Sequence, residues 1–331
     1  MTKMYAVCVA LGLGCGVAFA ESSLNSDVDF AGFYGDEDYV SIATGTTQPI
    51  AKAPAVASVI TASQIRAMGA RDIDQILESV PGLHISLNTI YNPEYLFRGI
   101  SSDFNPQVLM LINGIPITNL FQGDRNLVWG GMPVEAISRI EVIRGPGSAL
   151  YGADAFAGVI NIVTKTPGEI KQNSAGVRIG SFDTTDVWFT AAGEKGELAY
   201  MGSVEFTQSD GSDAHINSDA QSLLDFITGT AVSNAPGSVN LSSENVELRL
   251  EASYKKLRVR AGSQIRKNIG DGVGAAQALN PENKFSSQRF NVDLTYTEEE
   301  LFEKTSVEFQ ASYFDTSQEV EGNFILYPAG S

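Results

Sequence analysis

From Pro167 onward the chain repeats with a period of two. Val246, Leu248, Leu250, Ala252 and Tyr254 alternate with Asn245, Glu247, Arg249, Glu251 and Ser253, and residues 198–207, 257–266, 289–296 and 305–313 follow the same rule. Side chains two apart share one face of a strand, so each segment predicts a strand with one apolar and one polar face. In all five the apolar face carries no charge, whereas the other face carries many. Two less regular strands precede them at 177–181 and 185–192. A soluble sandwich alternates as well, so alternation alone leaves sandwich and barrel open. Length and connections separate them. The strands run to about ten residues, the length that a tilted membrane strand needs. Tight turns at 193–197, 254–257 and 297–301 alternate with long connections at 209–243 and 267–287, the pattern of short periplasmic turns and long external loops. The short connection at 182–184 is the one irregularity. About seven strands emerge, whereas barrels of this kind close on an even number, and an open edge in lipid leaves unpaired backbone groups. The expectation is an N-terminal fragment of a longer barrel protein, not transport-competent alone.

The start of the chain predicts export. Lys3, an apolar run over 5–20 and Ala18-Phe19-Ala20 read as a secretory signal over 1–20. Both cysteines, Cys8 and Cys15, lie inside it, so the mature chain has no disulfide framework and no thiolate metal site. No later apolar run has the length of a membrane helix. Residues 21–54 are polar and acidic and read as a flexible arm. Within it Asp38, Tyr39, Val40, Ser41, Ile42 and Ala43 form a short β-prone segment that can add to the edge of another protein's sheet.

Residues 55–167 read as a mixed α+β domain. A strand at 56–60 leads to Thr61, which caps a helix with Ile65 and Met68 on one face and Gly69 at its end. Asp72 caps a second helix whose stripe is Ile73, Ile76, Leu77 and Val80, stopped by Pro81-Gly82. Strands follow at 83–87, 95–98 and 108–112, and Asn113-Gly114 turns the last into 115–117. Residues 139–165 read as strand, glycine-punctuated bend and strand. Residues 168–331 hold the alternating strands. The fold class is therefore an α+β domain followed by antiparallel transmembrane barrel strands, about seven in number.

The composition argues against several functions. A formal net charge of −17 disfavours nucleic acid as a partner. With only His84 and His215, and no mature cysteine, a catalytic triad or a histidine zinc site has almost nothing to build from. Ser148 is no nucleophile elbow, since Leu150 stands where glycine is required. Asp210, Asp213 and Asp219 fit no EF-hand spacing. No enzyme, no cofactor and no metal is expected.

Four ordered motifs carry a resemblance to a known family. The runs VSIATGTTQPIAKAPAVASVITASQI, IDQILESVPGLHIS, LFRGI with VLMLINGIPI, and PVEAISRIEVIRGPGSALYGADAFAGVINIVTK resemble the plug domain of TonB-dependent outer-membrane receptors, with Asn113 where aspartate is more usual. The resemblance implies a plug inside a barrel in the Gram-negative outer membrane, in contact with lipid, assembled by the barrel assembly machinery. It implies energised import of a scarce small molecule, by default a ferric siderophore, with cobalamin or an oligosaccharide as alternatives. A non-energised porin or adhesin is the competing class. Asp38 to Ala43 would be the TonB box, bound by the periplasmic C-terminal domain of TonB. Arg98 and Arg144, with Glu141, match a plug–barrel contact, where guanidinium groups would grip barrel carboxylates. Alternatively, both arginines satisfy plug carbonyls or Glu141. Tyr91, Tyr95 and Phe104, near the apical plug loops, would contact the ligand, unless they pack in the core.

Overall fold

A computed structural model describes residues 6–10, 39–40, 42, 48–49 and 56–330, apart from 89–91, 103, 120–128, 148–150, 303–304, 322–324 and 329. Within the first domain β1 spans Val56–Thr61 and leads directly into α1, Ala62–Met68. Thr61 starts α1 with a reciprocal capping box: its hydroxyl accepts from the Gln64 amide, and Gln64 Oε1 accepts from the Thr61 amide at 2.9 Å. Gly69 ends the helix in the left-handed conformation at φ 68°. Ile65 is buried, but Met68 stands 44% exposed, contrary to the expected shared face, because the helix stops before a second apolar turn forms. Asp72 caps α2, Ile73–Leu77, and its carboxylate accepts from the Gln75 amide at 3.0 Å.

The remaining strands of this domain are β2 Leu83–Leu87, β3 Pro93–Phe97, β4 Val108–Ile112, β5 Ile115–Pro116, β6 Ile137–Arg144 and β7 Gly158–Thr164. Five of them form one sheet in the order β1-β6-β7-β4-β5, and β2 pairs with β3 separately. Only β7 and β4 run parallel. The sheet has two faces of unequal cover. Ile140, Val142, Ile160, Ile162 and Met110 point to the face packed by Ile65, Ile73, Ile76, Leu77, Tyr95 and Trp129. The residues between them, Leu109, Leu111, Ile143 and Val159, point to a smaller cluster that Ile42 and Ala155 complete.

Seven strands follow: β8 Ser174–Ile179, β9 Thr185–Lys195, β10 Leu198–Ser209, β11 Ser243–Tyr254, β12 Leu257–Gly270, β13 Lys284–Phe302 and β14 Thr305–Val320. Each pairs antiparallel with its sequence neighbour, and among the described residues the sheet does not close on itself. Ala6–Ala10, within the stretch read as a signal, lies antiparallel on the outer edge of β14, as a strand edge invites.

The polarity of this sheet is inverted relative to a soluble protein. Val187, Phe189, Leu250 and Phe290 face outward, 43–51% exposed, while Glu205, Glu247, Arg289 and Asp293 face the plug at 2% or less. That inversion separates barrel wall from sandwich: the apolar face has no protein to cover it, and the charged face is the one enclosed.

Two expectations are corrected. The turn expected at 297–301 lies farther on, because β13 and β14 stay paired through Glu298–Val307 and absorb the acidic run by a register shift before Phe302 pairs with Thr305. The long 209–243 connection is not free of helix. It contains α3, Ala220–Thr228, which Asp219 caps and Gly229 ends at φ 74°.

Candidate functional site

The strand β6 exposes its even and odd residues to different worlds. Ile140 and Val142 enter the larger core, so Arg139, Glu141 and Ile143 face the smaller cluster. Glu141 is fully enclosed there. Its Oε1 accepts from Arg139, whose Nη2 lies 2.8 Å away, and its Oε2 accepts from the Ile42 amide at 3.2 Å. A carboxylate at zero exposure needs such charge-assisted partners. The Ile42 side chain, 2% exposed, fills the adjoining apolar hollow of Leu109, Leu111, Ile143, Ala155 and Val159. Burial, with the Glu141 charge adding, raises the Tyr151 phenol above its ordinary pKa at the rim of this seat. Tyr39–Val40, just upstream, pairs antiparallel with Gln48–Pro49. Among the described residues, the arm is thus held by the amide and the side chain of Ile42 in the predicted partner-binding segment. Asp38, Ser41 and Ala43 of that segment lie outside the described residues.

Arg144 and Arg98 come together at the far end of β6. Arg144 Nη1 donates to the Pro81 carbonyl at 2.7 Å and Nη2 to Ser58 Oγ at 3.1 Å. Arg98 sits in a left-handed turn at φ 52°, its Nη2 3.5 Å from the Arg144 carbonyl oxygen. These partners belong to the plug.

The contacts between plug and sheet involve charges of the opposite placement. Arg178, Arg266 and Arg289 project from the strands toward the plug. Arg178 bonds Glu135 of the plug at 2.9 Å and also grips Asp186 of β9. Arg289, 1% exposed, stacks over the Trp129 ring at 4.7 Å and reaches Met132 Sδ at 3.5 Å. Glu205 of β10 accepts from the Glu135 amide at 2.9 Å. Arg266 approaches the backbone of Gly130 and Gly131, where a Cβ on Gly130 would stand 3.2 Å from its Nη1 and 2.8 Å from Pro93 Cγ. It faces Asp72 and Asp74 electrostatically. Asp74 accepts from Tyr95 Oη at 2.9 Å and from the Gly131 amide at 2.8 Å. Burial, reinforced by the neighbouring Asp72 carboxylate, pushes Asp74 up to about 7.

Tyr95, a candidate ligand contact, is fully buried and its hydroxyl is committed to Asp74. Phe104 is 39% exposed in a left-handed turn at φ 71° beside Asn105, whose side chain braces Tyr95. Tyr91 lies outside the described residues. Sequence reasoning missed Asp74 and the three strand arginines. The signal existed: Arg178, Arg266 and Arg289 all occupy the charged phase of their strands, and Asp74 interrupts an apolar helix stripe. No group of three or more metal-ligating side chains occurs among the described residues. This constellation can hold a plug against the strands and seat an arm.

Comparison with known proteins agrees with this architecture. Residues 49–159 match the TonB-dependent Receptor Plug Domain. The chain is 37% identical over 129 residues to a vitamin B12 transporter of Vibrio vulnificus, covering 38% of this chain and 20% of that protein. It is 36% identical over 163 residues to the iron-regulated outer membrane virulence protein of Vibrio cholerae, covering 47% and 24%. The ferrienterobactin receptor of Escherichia coli is 32% identical over 180 residues, covering 49% and 22%. The chain therefore spans about a quarter or less of the length of these relatives. Among solved structures, the ferric-catecholate import receptor Fiu of E. coli superposes with a TM-score of 0.60 at 16% identity, over 82% of this chain and 40% of that one. The ferric yersiniabactin receptor FyuA of Yersinia pestis gives 0.57 at 18%, over 84% and 42%. At these identities the superpositions speak to the fold.

Proposed function

For this chain, which belongs to the TonB-dependent outer-membrane receptors, we propose a part in energised import of a scarce small molecule, an iron chelate or a corrinoid. The observation that carries the reading is the pairing of a plug, enclosed by the charged face of barrel strands, with an arm seated on that plug through Ile42 and Glu141. A passive pore has no use for a folded domain against its inner wall. A plug tied to the wall by the Arg178–Glu135 pair, the Glu135 amide on Glu205 and the stack of Arg289 on Trp129 needs work to move, and the arm supplies a handle for that work.

In this proposal Asp38, Tyr39, Val40, Ser41, Ile42 and Ala43 add as a strand to the C-terminal domain of TonB in the periplasm. Pulling along a strand loads several ladder hydrogen bonds together, which resists better than peeling them singly. The load reaches the plug first at the Ile42 seat and next at β6, through Glu141. Arg98 and Arg144 lie at the other end of β6 and tie it to β1 and to the Pro81 turn. The proposed domain limits are 1–20 signal, 21–54 arm, 55–167 plug and 168–331 barrel strands, folded into the membrane by the barrel assembly machinery.

Deleting Asp38 to Ala43 from the receptor in its own host tests the reading. Uptake of radiolabelled ligand is expected to fall to the level of a strain lacking TonB, with surface binding unchanged. Uptake that persists after the deletion would rule out energised transport through this arm and favour a passive pore.

A further inference from the structure

On one side the plug and the strands do not meet tightly. Two cavities lie between them there. One, of about 600 Å³, is lined by Arg71, Asp72 and Gly131 of the plug and by Arg178, Thr207 and Asn245 of the strands. The other, of about 1030 Å³, is lined by Thr61, Ile65 and Lys165 of the plug and by Ser174, Trp188 and Thr190 of β8 and β9. With the tight turns on the periplasmic side, the first cavity lies at the outer end of the strands, beside Gly211 and Leu241. The second lies at the periplasmic end, beside the 168–172 linker. Arg178 lines both, so one side chain stands where the two cavities would join.

That junction is held shut by charge. Arg178 Nη2 bonds Glu135 Oε1 at 2.9 Å, Nη1 grips Asp186 of β9, and the guanidinium lies over the Trp188 ring at 4.9 Å. The Glu135 amide donates to Glu205 of β10 at 2.9 Å. The two hydrogen-bonded ties from plug to β8–β10 seen among the described residues thus both end on Glu135. They differ from the ties on the opposite wall in their access to water. The Arg178 and Glu135 side chains are 32% and 18% exposed, whereas Arg289 and Arg266 are 1% and 5% exposed. An ion pair that water reaches separates at far lower cost than an enclosed one, so this side is the first to part.

The strand that carries the arm's seat also leads to this junction. Glu135 stands two residues before β6, and Glu141 lies within it. The six residues between them span about 20 Å of extended chain. Tension that reaches Glu141 through the Ile42 amide is therefore carried to Glu135 along the covalent backbone. β6 cannot slide alone, because β1 and β7 pair with it on either side. The three strands move together, and β1 runs directly into α1, where Thr61 and Ile65 form part of the plug-side wall of the larger cavity. Drawing this block away from the strands widens that cavity and withdraws Glu135 from Arg178 in one motion.

We propose that cargo passes between the plug and strands β8–β10, and that the Glu135–Arg178 pair is the latch that separates the outer cavity from the periplasmic one. The plug keeps its hold on β12 and β13 through Arg266 and Arg289 while the latch opens. The inference rests on the import reading and deepens it, because it assigns the route and the first contact to break.

The test uses the receptor in its own host, with Thr190 replaced by cysteine. Thr190 pairs with Ser174, four residues toward the periplasm from the Asp186–Arg178 pair, and lines the larger cavity. Cys8 and Cys15 are the only native cysteines of the chain, so labelling at 190 is read on its own peptide. A fluorescent maleimide that the intact outer membrane excludes is added to whole cells. Without TonB, Thr190→Cys is expected to label slowly, and about tenfold faster once Arg178→Met removes the latch. Arg289→Met, which loosens the opposite wall, is expected to raise labelling less than about twofold. Labelling that Arg178→Met leaves unchanged would overturn the latch. Equal acceleration by Arg289→Met would overturn the route, since the plug would then loosen as a whole. If Arg178→Met does not reach the outer membrane, Glu135→Gln removes the charge from the other partner and is read in the same way. In cells with TonB the native latch is expected to open and label faster than in cells without it. No such difference, with Arg178→Met still fast, would overturn energised import and leave the latch standing.

Discussion

The two faces of the plug's sheet are held in different ways. On the helix-bearing face, Ile73, Ile76, Leu77, Tyr95 and Trp129 form a continuous core, and the strand arginines press against it through Asp74, Glu135 and Trp129. On the other face a cluster of five buried plug residues is closed by one side chain of the arm, Ile42, and one buried carboxylate, Glu141. The first face is tied to the wall; the second is tied to the arm. Among the described residues, a force arriving along the arm therefore meets a small apolar seat and the Ile42 amide–Glu141 bond before it meets the anchored core. That ordering suits a device that must yield in one part without losing its hold in another, and it can be broken from either side.

The largest effect is expected on the anchored face. Asp74→Ala removes the acceptor of Tyr95 Oη and of the Gly131 amide and leaves buried Arg266 facing one carboxylate fewer. A loss of about 3–5 kcal/mol in unfolding free energy is expected, because two buried donors lose their acceptor at about 1–3 kcal/mol each. Asp74→Asn keeps one acceptor and should lose about 1 kcal/mol. Urea unfolding followed by tryptophan fluorescence, with Trp129 in the affected core, measures both. Equal stability of all three chains would mean that the anchor is elsewhere.

The same group sets a pH dependence. The folded pKa of Asp74, about 7, lies above the unfolded carboxylate value, so the folded chain binds the extra proton. Its contribution is fully present below pH ~4 and is lost as pH rises through about 7. Plug stability should thus fall between about pH 4 and pH 7 and level off above, and Asp74→Asn should flatten that slope. A slope of opposite sign, or one that survives in Asp74→Asn, would assign the titration to another group.

How much of this was legible in the sequence follows from where each interaction is local. The period-two strands, the Thr61 and Asp72 caps and the apolar stripe of α2 depend on neighbours a few residues away, and the folded chain has all of them. The helix α3 was missed although Asp219 and Gly229 mark its ends, because its apolar residues Leu223, Phe226 and Ile227 stand in solvent and give no core stripe to read. The clamp of Arg266 and Arg289 on the plug was not legible as a pairing. Charged residues on an inward face announce that something polar is enclosed, but which plug residue meets which strand depends on the rotation of one domain inside another. Nothing within either segment encodes that rotation alone.

On the arm-bearing face the effects should be smaller and more local. Glu141→Ala removes the acceptor of the Ile42 amide and the partner of Arg139. It should cost about 2–3 kcal/mol, the range for hydrogen bonds to a charged group, and should free the arm to limited proteolysis. If global stability falls as far as in Asp74→Ala with no gain in arm cleavage, the two faces are one mechanical unit and the contrast between them is wrong.

Ile42→Ala isolates the seat itself. The substitution leaves the backbone amide to bond Glu141 and deletes only the side chain that fills the hollow of Leu109, Leu111, Ile143, Ala155 and Val159. A buried isoleucine cut to alanine loses about 2 kcal/mol or more, but here the loss falls on the docking of a short arm and not on the folding of the domain. Because about 1.4 kcal/mol is a factor of ten, the arm should open roughly thirtyfold more often. Amide exchange at Tyr39 and Val40 should quicken by that factor, while exchange in β4, β6 and β7 stays as it was. If exchange quickens across the whole sheet, Ile42 is part of the plug core and the arm is no separate handle. If it quickens nowhere, the Glu141 bond alone holds the arm, and force would reach β6 through that one carboxylate.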